Sequence, residues 1–292
     1  MAMTTTCTIG PHTVGNNEPL TLIGGPCALE EPETNSLVGT TLRDLCAELG
    51  LNYVFKASYD KANRSSVDSP RGPGLEAGLA ELARLREELG VPITTDVHGP
   101  DQAARVAEVA DLLQVPAFLC RQTDLLVACA ATGRPVNVKK GQFMSPAEMK
   151  NVIGKLKAGG CAQMMLTERG TFFGYHRLVN DFIGVGDLMA LGYPVCFDAT
   201  HSTQLPGGEI QSSGGRPDRA PLLARAAVAA GVHAVFMECH PQPQRAVSDA
   251  STAQPLGKMG EILRPLVAIR SAITAACGVQ TRQTAVTSAR GR

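Results

Sequence analysis

The stretch LEAGLAELARLREELGVPITTDVHGPDQAARVAEVADLLQVPA, residues 75–117, alternates two kinds of segment. LEAGLAELARLREELG and PDQAARVAEVADLL are rich in Ala, Leu, Glu and Arg and read as helices. PITTDV and LLQVPA are short apolar runs of the kind that form buried strands. The alternation extends in both directions from here. TLIGG (21–25), YVFKAS (53–58), PVNVKK (135–140), QMMLTERG (163–170), PVCFDATH (194–201) and AVFMECH (234–240) bring the runs to eight. Eight buried strands alternating with helices predict an α/β fold of the (β/α)8, or TIM-barrel, type. Such a barrel gathers its chemistry at the C-terminal strand ends, where the βα loops meet over a packed core. The eight runs end on or beside Cys27, Lys56, Asp96, Gln114, Lys139, Arg169, His201 and Glu238. A strand often stops at a polar residue merely because the loop is wet, and that accounts for some of these. It accounts poorly for a thiol, an imidazole, carboxylates and cations gathered in one set.

A chain of 292 residues suits a single barrel with a large core. Its 27 basic and 27 acidic residues cancel, which argues against a nucleic-acid or membrane-surface binder. Any anion site must then be a local cluster. Nine cysteines form no C-x-x-C pair, and Cys46, Cys129 and Cys196 sit in apolar contexts, the pattern of free thiols in a reducing compartment. The N-terminus, MAMTTTCTIGPHTVGNNEPL, has neither a basic region nor a long apolar stretch. No run of about 18 apolar residues occurs. A soluble, cytoplasmic protein is expected.

Residues 1–19 read as an extension, with a small hairpin closing the barrel bottom; residues 20–277 form the barrel; residues 278–292 are polar, lack an apolar period and are expected to be disordered. Three βα connections are long: residues 58–74, 201–219 and 240–255. Each follows a strand end that carries a reactive group, so they are expected to be lids and binding loops.

Two constellations carry chemistry. The first is cationic: Lys56, Lys61, Arg64, Arg121, Lys139, Lys140 and Arg169. Most surface cations are simply solvated, yet Lys56, Lys139 and Arg169 end apolar runs, where an unpaired charge is costly to desolvate. Carboxylates at the same rim are too few to pair them, so an anionic ligand with more than one phosphate or carboxylate is expected. The second constellation is Cys27, His201, Glu238 and Asp249, whose thiolate, imidazole and carboxylates suit a divalent Zn, Fe(II), Mn or Co ion. A cysteine ending a barrel strand is more often packing than ligation, and Cys239 and His240 are rival ligands. Strand alternation points Cys239 the other way. His12, His98, His176 and His233 carry little weight.

The segments FKASYDKANRSS (55–66) and RGPGLE (71–76) resemble the 3-deoxy-D-manno-octulosonate-8-phosphate synthases, also called 2-dehydro-3-deoxyphosphooctonate aldolases. The resemblance continues through GGPCALE, TDVH, QVPAFLCRQTDLL, NVKKGQFMSP, ERGTFFGYH, FDATHSTQLPGG, SGGR, ECHP and SDA, covering residues 20–270. An ordered series of motifs is far more specific than any one of them. It implies a homotetramer that condenses phosphoenolpyruvate with arabinose 5-phosphate, giving an eight-carbon sugar acid phosphate for Kdo and lipopolysaccharide synthesis. By position, Lys56, Lys61, Gln114, Lys139 and Arg169 are implied as the phosphoenolpyruvate site. Asn63, Arg64 and Ser65 resemble the arabinose 5-phosphate loop, with Arg64 and Ser65 at the phosphate and Asn63 at sugar hydroxyls. Asp96 is implied at the sugar or at metal-bound water, Phe118 as a pocket wall, and Arg121 as an arginine that reaches a neighbouring subunit's site. The resemblance also implies two branches, one metal-dependent with Cys at the first strand end and one metal-independent with Asn there. Cys27 places this chain in the metal branch, with His201, Glu238 and Asp249 as the remaining ligands and Lys56, Lys61, Asp96, Lys139, Arg169 and His201 as the catalytic set.

The nearest rival is a 3-deoxy-heptulosonate-phosphate synthase using erythrose 4-phosphate, whose loop carries Lys-Pro-Arg-[Ser/Thr]; KANRSS (61–66) argues against it. A sialic-acid-type synthase has no sugar phosphate to justify Arg64. A non-catalytic sugar-phosphate sensor has no need to keep every cation and all four ligand candidates.

Overall fold

The computed structural model describes residues 5–64, 67–207 and 214–289, with side chains through residue 276. Eight parallel strands close into a barrel: β1 (Thr21–Gly25), β2 (Asn52–Lys56), β3 (Ile93–Asp96), β4 (Leu112–Val115), β5 (Val136–Lys139), β6 (Met164–Glu168), β7 (Val195–Asp198) and β8 (Ala234–His240). Closure is direct. β8 pairs with β7, Ala234 opposite Cys196, and with β1, Ala234 opposite Thr21. The helices are α1 (Pro32–Leu49), α2 (Leu75–Leu89), α3 (Ala103–Val109), α4 (Thr123–Ala131), α5 (Met149–Ala158), α6 (Phe182–Ala190), α7 (Ala220–Ala230) and α8 (Met259–Ala289).

Helix α2 shows why the opening stretch folds as it does. Leu79, Leu82, Leu85 and Leu89 fall on one buried face at helical spacing, and Gly90 ends the helix in the left-handed region, at φ 63°. The strands alternate in the same decisive way. Val235, Met237 and Cys239 face the helix layer, while Ala234 and Phe236 face the barrel interior. Cys239 therefore packs outward, as alternation requires.

The interior is filled from below. A hairpin pairs Cys7–Ile9 with His12–Val14, and Cys7, Ile9 and Val14 pack against Ile23, Val54, Leu112, Met165, Cys196, Ala234 and Phe236. This apolar plug leaves only the C-terminal end of the barrel open to polar chemistry. Arg270 of α8 ties the extension down by donating to the carbonyls of Gly15, Asn16 and Glu18. The backbone of α8 continues to Ala289, over residues that sequence polarity suggested would lack regular structure. No proline follows Pro265 to stop the helix. No helix among the described residues is long and apolar enough to cross a membrane.

His233 lies at the bottom, its Nδ1 accepting from the Val195 N–H at 2.9 Å and its Nε2 against Asn16 Oδ1 at 2.7 Å. Burial, and then Arg270, lower its pKa to about 4. Because the folded value lies below the unfolded one of about 6.5, the unfolded chain takes up the proton first as pH falls. Its contribution is therefore complete above the unfolded pKa and is lost as pH falls towards about 4. The stability difference between wild type and His233→Gln should narrow by about 3 kcal/mol across that window. Urea unfolding at several pH values checks this; parallel pH curves for the two proteins would remove His233 as the cause.

Candidate active site

At the top of the barrel the inward side chains become polar. Thr167 donates to Asn137 Oδ1 at 2.7 Å, Asn137 donates to Gln114 Oε1 at 3.3 Å, and Gln114 donates to Asp96 Oδ1 at 2.6 Å. Ser58 donates to the other oxygen of Asp96. Burial pushes the Asp96 carboxyl up, but Lys56 and Lys61 outweigh it and hold Asp96 below the ordinary carboxylate range. Asp96 is thus an oriented, ionised acceptor.

An open cavity lies above this layer, lined among others by Lys56, Lys61, Asn63, Asp96, Gln114, Phe118, Lys139, Arg169 and His201. Residues from six different strand ends and loops meet here because the strands are parallel and in register. Lys56 and Lys61 come from β2 and its loop, Lys139 ends β5, and Arg169 directly follows β6.

Pairing of these cations corrects one sequence expectation. Lys56 Nζ lies 3.0 Å from Glu238 and donates to the Cys27 carbonyl at 2.8 Å; Lys139 lies 2.6 Å from Asp198; Lys140 lies 3.5 Å from Glu168. Carboxylates at the rim are therefore not too few for the lysines. Asp198 and Glu168 are the last residues of β7 and β6, strand residues by sequence pattern, yet barrel closure brings both carboxylates within reach of the rim lysines. Arg169 is the exception. It is buried, its Nη2 donates to Gln204 Oε1 at 2.7 Å, and its Nη1 has no hydrogen-bond partner. No carboxylate lies within ion-pair distance of it among the described residues, and burial lowers its pKa.

The metal-ligand candidates separate into a group of three and a neighbour. Ligand atoms of Cys27, Glu238 and Asp249 lie within 4.8 Å of one another. Gly25 makes this possible at β1, since a Cβ there would sit 2.1 Å from the Lys56 carbonyl oxygen. His201 stands beside the group, with Nε2 3.8 Å from Glu238 Oε2. Its other nitrogen meets Asp198 Oδ2 at 2.7 Å, which turns Nε2 towards Glu238. Two features fit a cation. Glu238 Oε2 is buried without a hydrogen-bond partner, and a thiol with two carboxylates suits Zn, Fe(II), Mn or Co. Burial, then Asp249 and Glu238, push the Cys27 thiol well up, so it stays protonated and donates to Asp249 at 2.9 Å until a cation offsets those charges. The rival His240 lies elsewhere, with Nε2 3.6 Å from Glu30.

Residues 4–275 match the DAHP synthetase I family. The chain belongs to the DAHP synthetase I family. Within it, a relative from Cyanothece sp. named 2-dehydro-3-deoxyphosphooctonate aldolase is 53% identical over 89% of this chain and 95% of its own. A relative of the same name from Desulfotalea psychrophila is 52% identical over 89% of this chain and 93% of its own. A third, from Nitratidesulfovibrio vulgaris, is 54% identical over 86% of this chain and 92% of its own.

In this DAHP synthetase I family barrel three of the cations read from sequence stand away from the cavity, the first being Lys140, whose Nζ donates to the Met144 carbonyl at 3.1 Å. Arg64 reaches over to the β8α8 loop, donating to Ser248 Oγ and to the Val247 carbonyl. Arg121 lines a separate surface cavity with Glu148, Lys150 and Lys155. Ser65 and residues 208–213 of the β7α7 loop lie outside the described residues. Sequence reasoning missed Asp198, Gln204 and Gln142 and gave too little weight to His98, so that two groups of the cavity wall, Gln142 and His98, went unread. His98 Nδ1 and Gln142 Oε1 have no hydrogen-bond partner. Period-two alternation from the inward Cys196 would have found Asp198; nothing local marks Gln204.

Proposed function

We propose that the chain condenses phosphoenolpyruvate with D-arabinose 5-phosphate and water, giving 3-deoxy-D-manno-octulosonate 8-phosphate and phosphate for Kdo and lipopolysaccharide synthesis. The observation that carries this is the convergence of Lys56, Lys61, Lys139 and Arg169 on one cavity, in a chain whose relatives bear the octonate aldolase name. The enol C3 attacks the sugar aldehyde, water adds at C2, and the tetrahedral intermediate expels phosphate. Arg169, with its free Nη1, and Lys139 hold the phosphate and the charge that develops as it leaves. Lys56 and Lys61 face the substrate carboxylate, and Gln114 holds Asp96 in place beside them. Asp96, kept ionised, accepts from sugar hydroxyls or water rather than donating to them. Resemblance to the arabinose 5-phosphate loop supports Asn63, Arg64 and Ser65 at that substrate's end, and of these Asn63 lines the cavity, with Phe118 as a wall.

Cys27, His201, Glu238 and Asp249 would hold one divalent ion, Mn, Fe(II), Co or Zn. Such an ion supplies Lewis-acid polarisation of a substrate oxygen or of water. His201 stays oriented by Asp198, and Lys56 neutralises the inner oxygen of Glu238. The protein works in the cytoplasm as a homotetramer, with no nucleic-acid or membrane partner, and Arg121 reaches a neighbouring subunit's site. Its place outside its own cavity supports that assignment.

Phosphate release from phosphoenolpyruvate tests the reading. Arabinose 5-phosphate should drive it, and erythrose 4-phosphate should be a far poorer partner. Preference for erythrose 4-phosphate would instead assign a heptulosonate-phosphate synthase, and no release with either sugar would favour a sensor.

A further inference from the structure

Gln204 touches two sites at once. Its side-chain oxygen accepts from Arg169 Nη2 at 2.7 Å, and its side-chain nitrogen donates to Asp249 Oδ1 at 3.1 Å. The amide has one possible orientation, because a guanidinium only donates and an ionised carboxylate only accepts. Backbone geometry holds the residue in place. Gln204 follows the short 3-10 turn His201–Thr203 and pairs with Gly215 across a small ladder. Arg169 is buried and Asp249 half-buried, and among the described residues neither has a substitute at the atom Gln204 occupies. Arg169 makes no other side-chain hydrogen bond among the described residues, and its Nη1 stays free. Asp249 turns Oδ1 to Gln204, while Oδ2 takes Cys27 at 2.9 Å, Ser248 at 3.0 Å and Lys61 at 3.5 Å.

We infer that Gln204 is a positioning residue that couples the anion-binding arginine to the Cys27, Glu238 and Asp249 cation group, so that occupation of either site tightens the other. The inference rests on the proposed function for its anion, phosphoenolpyruvate. A cation at the group fixes Asp249, which fixes the amide nitrogen, which fixes the oxygen that aims Arg169. The reverse path is the same chain of bonds, so the coupling is reciprocal. An amide is suited to the task, since a carboxylate at 204 would repel Asp249 and an ammonium would repel Arg169.

Calorimetric titration of phosphoenolpyruvate into the full chain, chelated or loaded with Mn²⁺, reads the coupling without turnover. In wild type, Mn²⁺ should tighten phosphoenolpyruvate by roughly five-fold or more, the lower end of ordinary coupling between sites. In Gln204→Leu, which keeps the volume and removes both bonds, the ratio should fall to about one. Gln204→Asn, too short to span both partners, should do the same and serves if the leucine variant folds poorly. A merely structural role would weaken binding in both conditions and leave the ratio intact, and that result overturns the inference. So does a wild type whose phosphoenolpyruvate affinity ignores Mn²⁺. A wild type that binds no phosphoenolpyruvate in either condition overturns the proposed function, and this inference with it.

Discussion

Cys27→Ala is expected to lose divalent-metal affinity by well over the 10–100-fold that removal of an outer hydrogen-bond partner costs, while the barrel stays folded. Cys27 packs at the end of β1 in a loop that supplies one ligand atom of three lying within 4.8 Å. Removing it leaves two carboxylates and a nearby imidazole, a harder and poorer donor set for Zn, Fe(II) or Co. Elemental analysis and competition with a chromogenic chelator measure the loss. Activity should follow the metal: a chelator should abolish it in wild type, and Mn, Fe(II), Co or Zn should restore it to differing degrees. Cys27→Asn is the more telling variant. The thiol donates to Asp249 Oδ2 at 2.9 Å, and an asparagine amide can donate to the same oxygen. It should therefore retain weak, chelator-resistant activity. Full wild-type activity after exhaustive chelation, with no metal in the protein, would make Cys27 a packed strand-end residue and nothing more.

Arg169→Ala should remove phosphoenolpyruvate binding and turnover together, by roughly 10²–10³ in kcat/KM, the usual consequence of deleting one preorganised donor to developing charge. Its stability should hardly change. The guanidinium is buried without a carboxylate at ion-pair distance among the described residues, so its deletion relieves desolvation and breaks only the bond to Gln204. Lys139→Ala provides the contrast. Lys139 lies 2.6 Å from the fully buried Asp198, and loss of one partner of such a pair typically costs about 3–5 kcal/mol. Both variants should lose phosphoenolpyruvate affinity in calorimetry, and only Lys139→Ala should melt markedly earlier. Unchanged phosphoenolpyruvate affinity in Arg169→Ala would remove this arginine from the anion site.

The physical difference between these two cations could not be read from the chain. Both end apolar runs, and in the sequence they look alike, as charges lacking partners. Asp198 was in plain view in PVCFDATH, but its partner Lys139 lies 59 positions away, across two strand boundaries. Gln204 carried no signal at all, since glutamine in a wet loop is ordinary and its value lies in facing Arg169 and Asp249 together. The rival ligands separated for related reasons. Alternation alone turned Cys239 outward, whereas His240 shares the inward phase and was removed only by its contact with Glu30.

The sequence by itself determined the barrel, the strand ends that carry chemistry and the residue types available there. Those properties are local: apolar runs of strand length, helical leucine spacing and alternation of side chains are written in neighbouring residues. Tertiary structure decided which charges neutralise one another, that Arg169 keeps a free nitrogen, that Cys27, Glu238 and Asp249 converge, and that Arg64 and Arg121 stand apart from the cavity. Closure of the sheet sets β8 beside β1, so Glu238 lies opposite Gly25, more than two hundred residues earlier in the chain. Coulomb and hydrogen-bond energies depend on distances of a few ångströms, and no local pattern in a sequence records a distance of that kind.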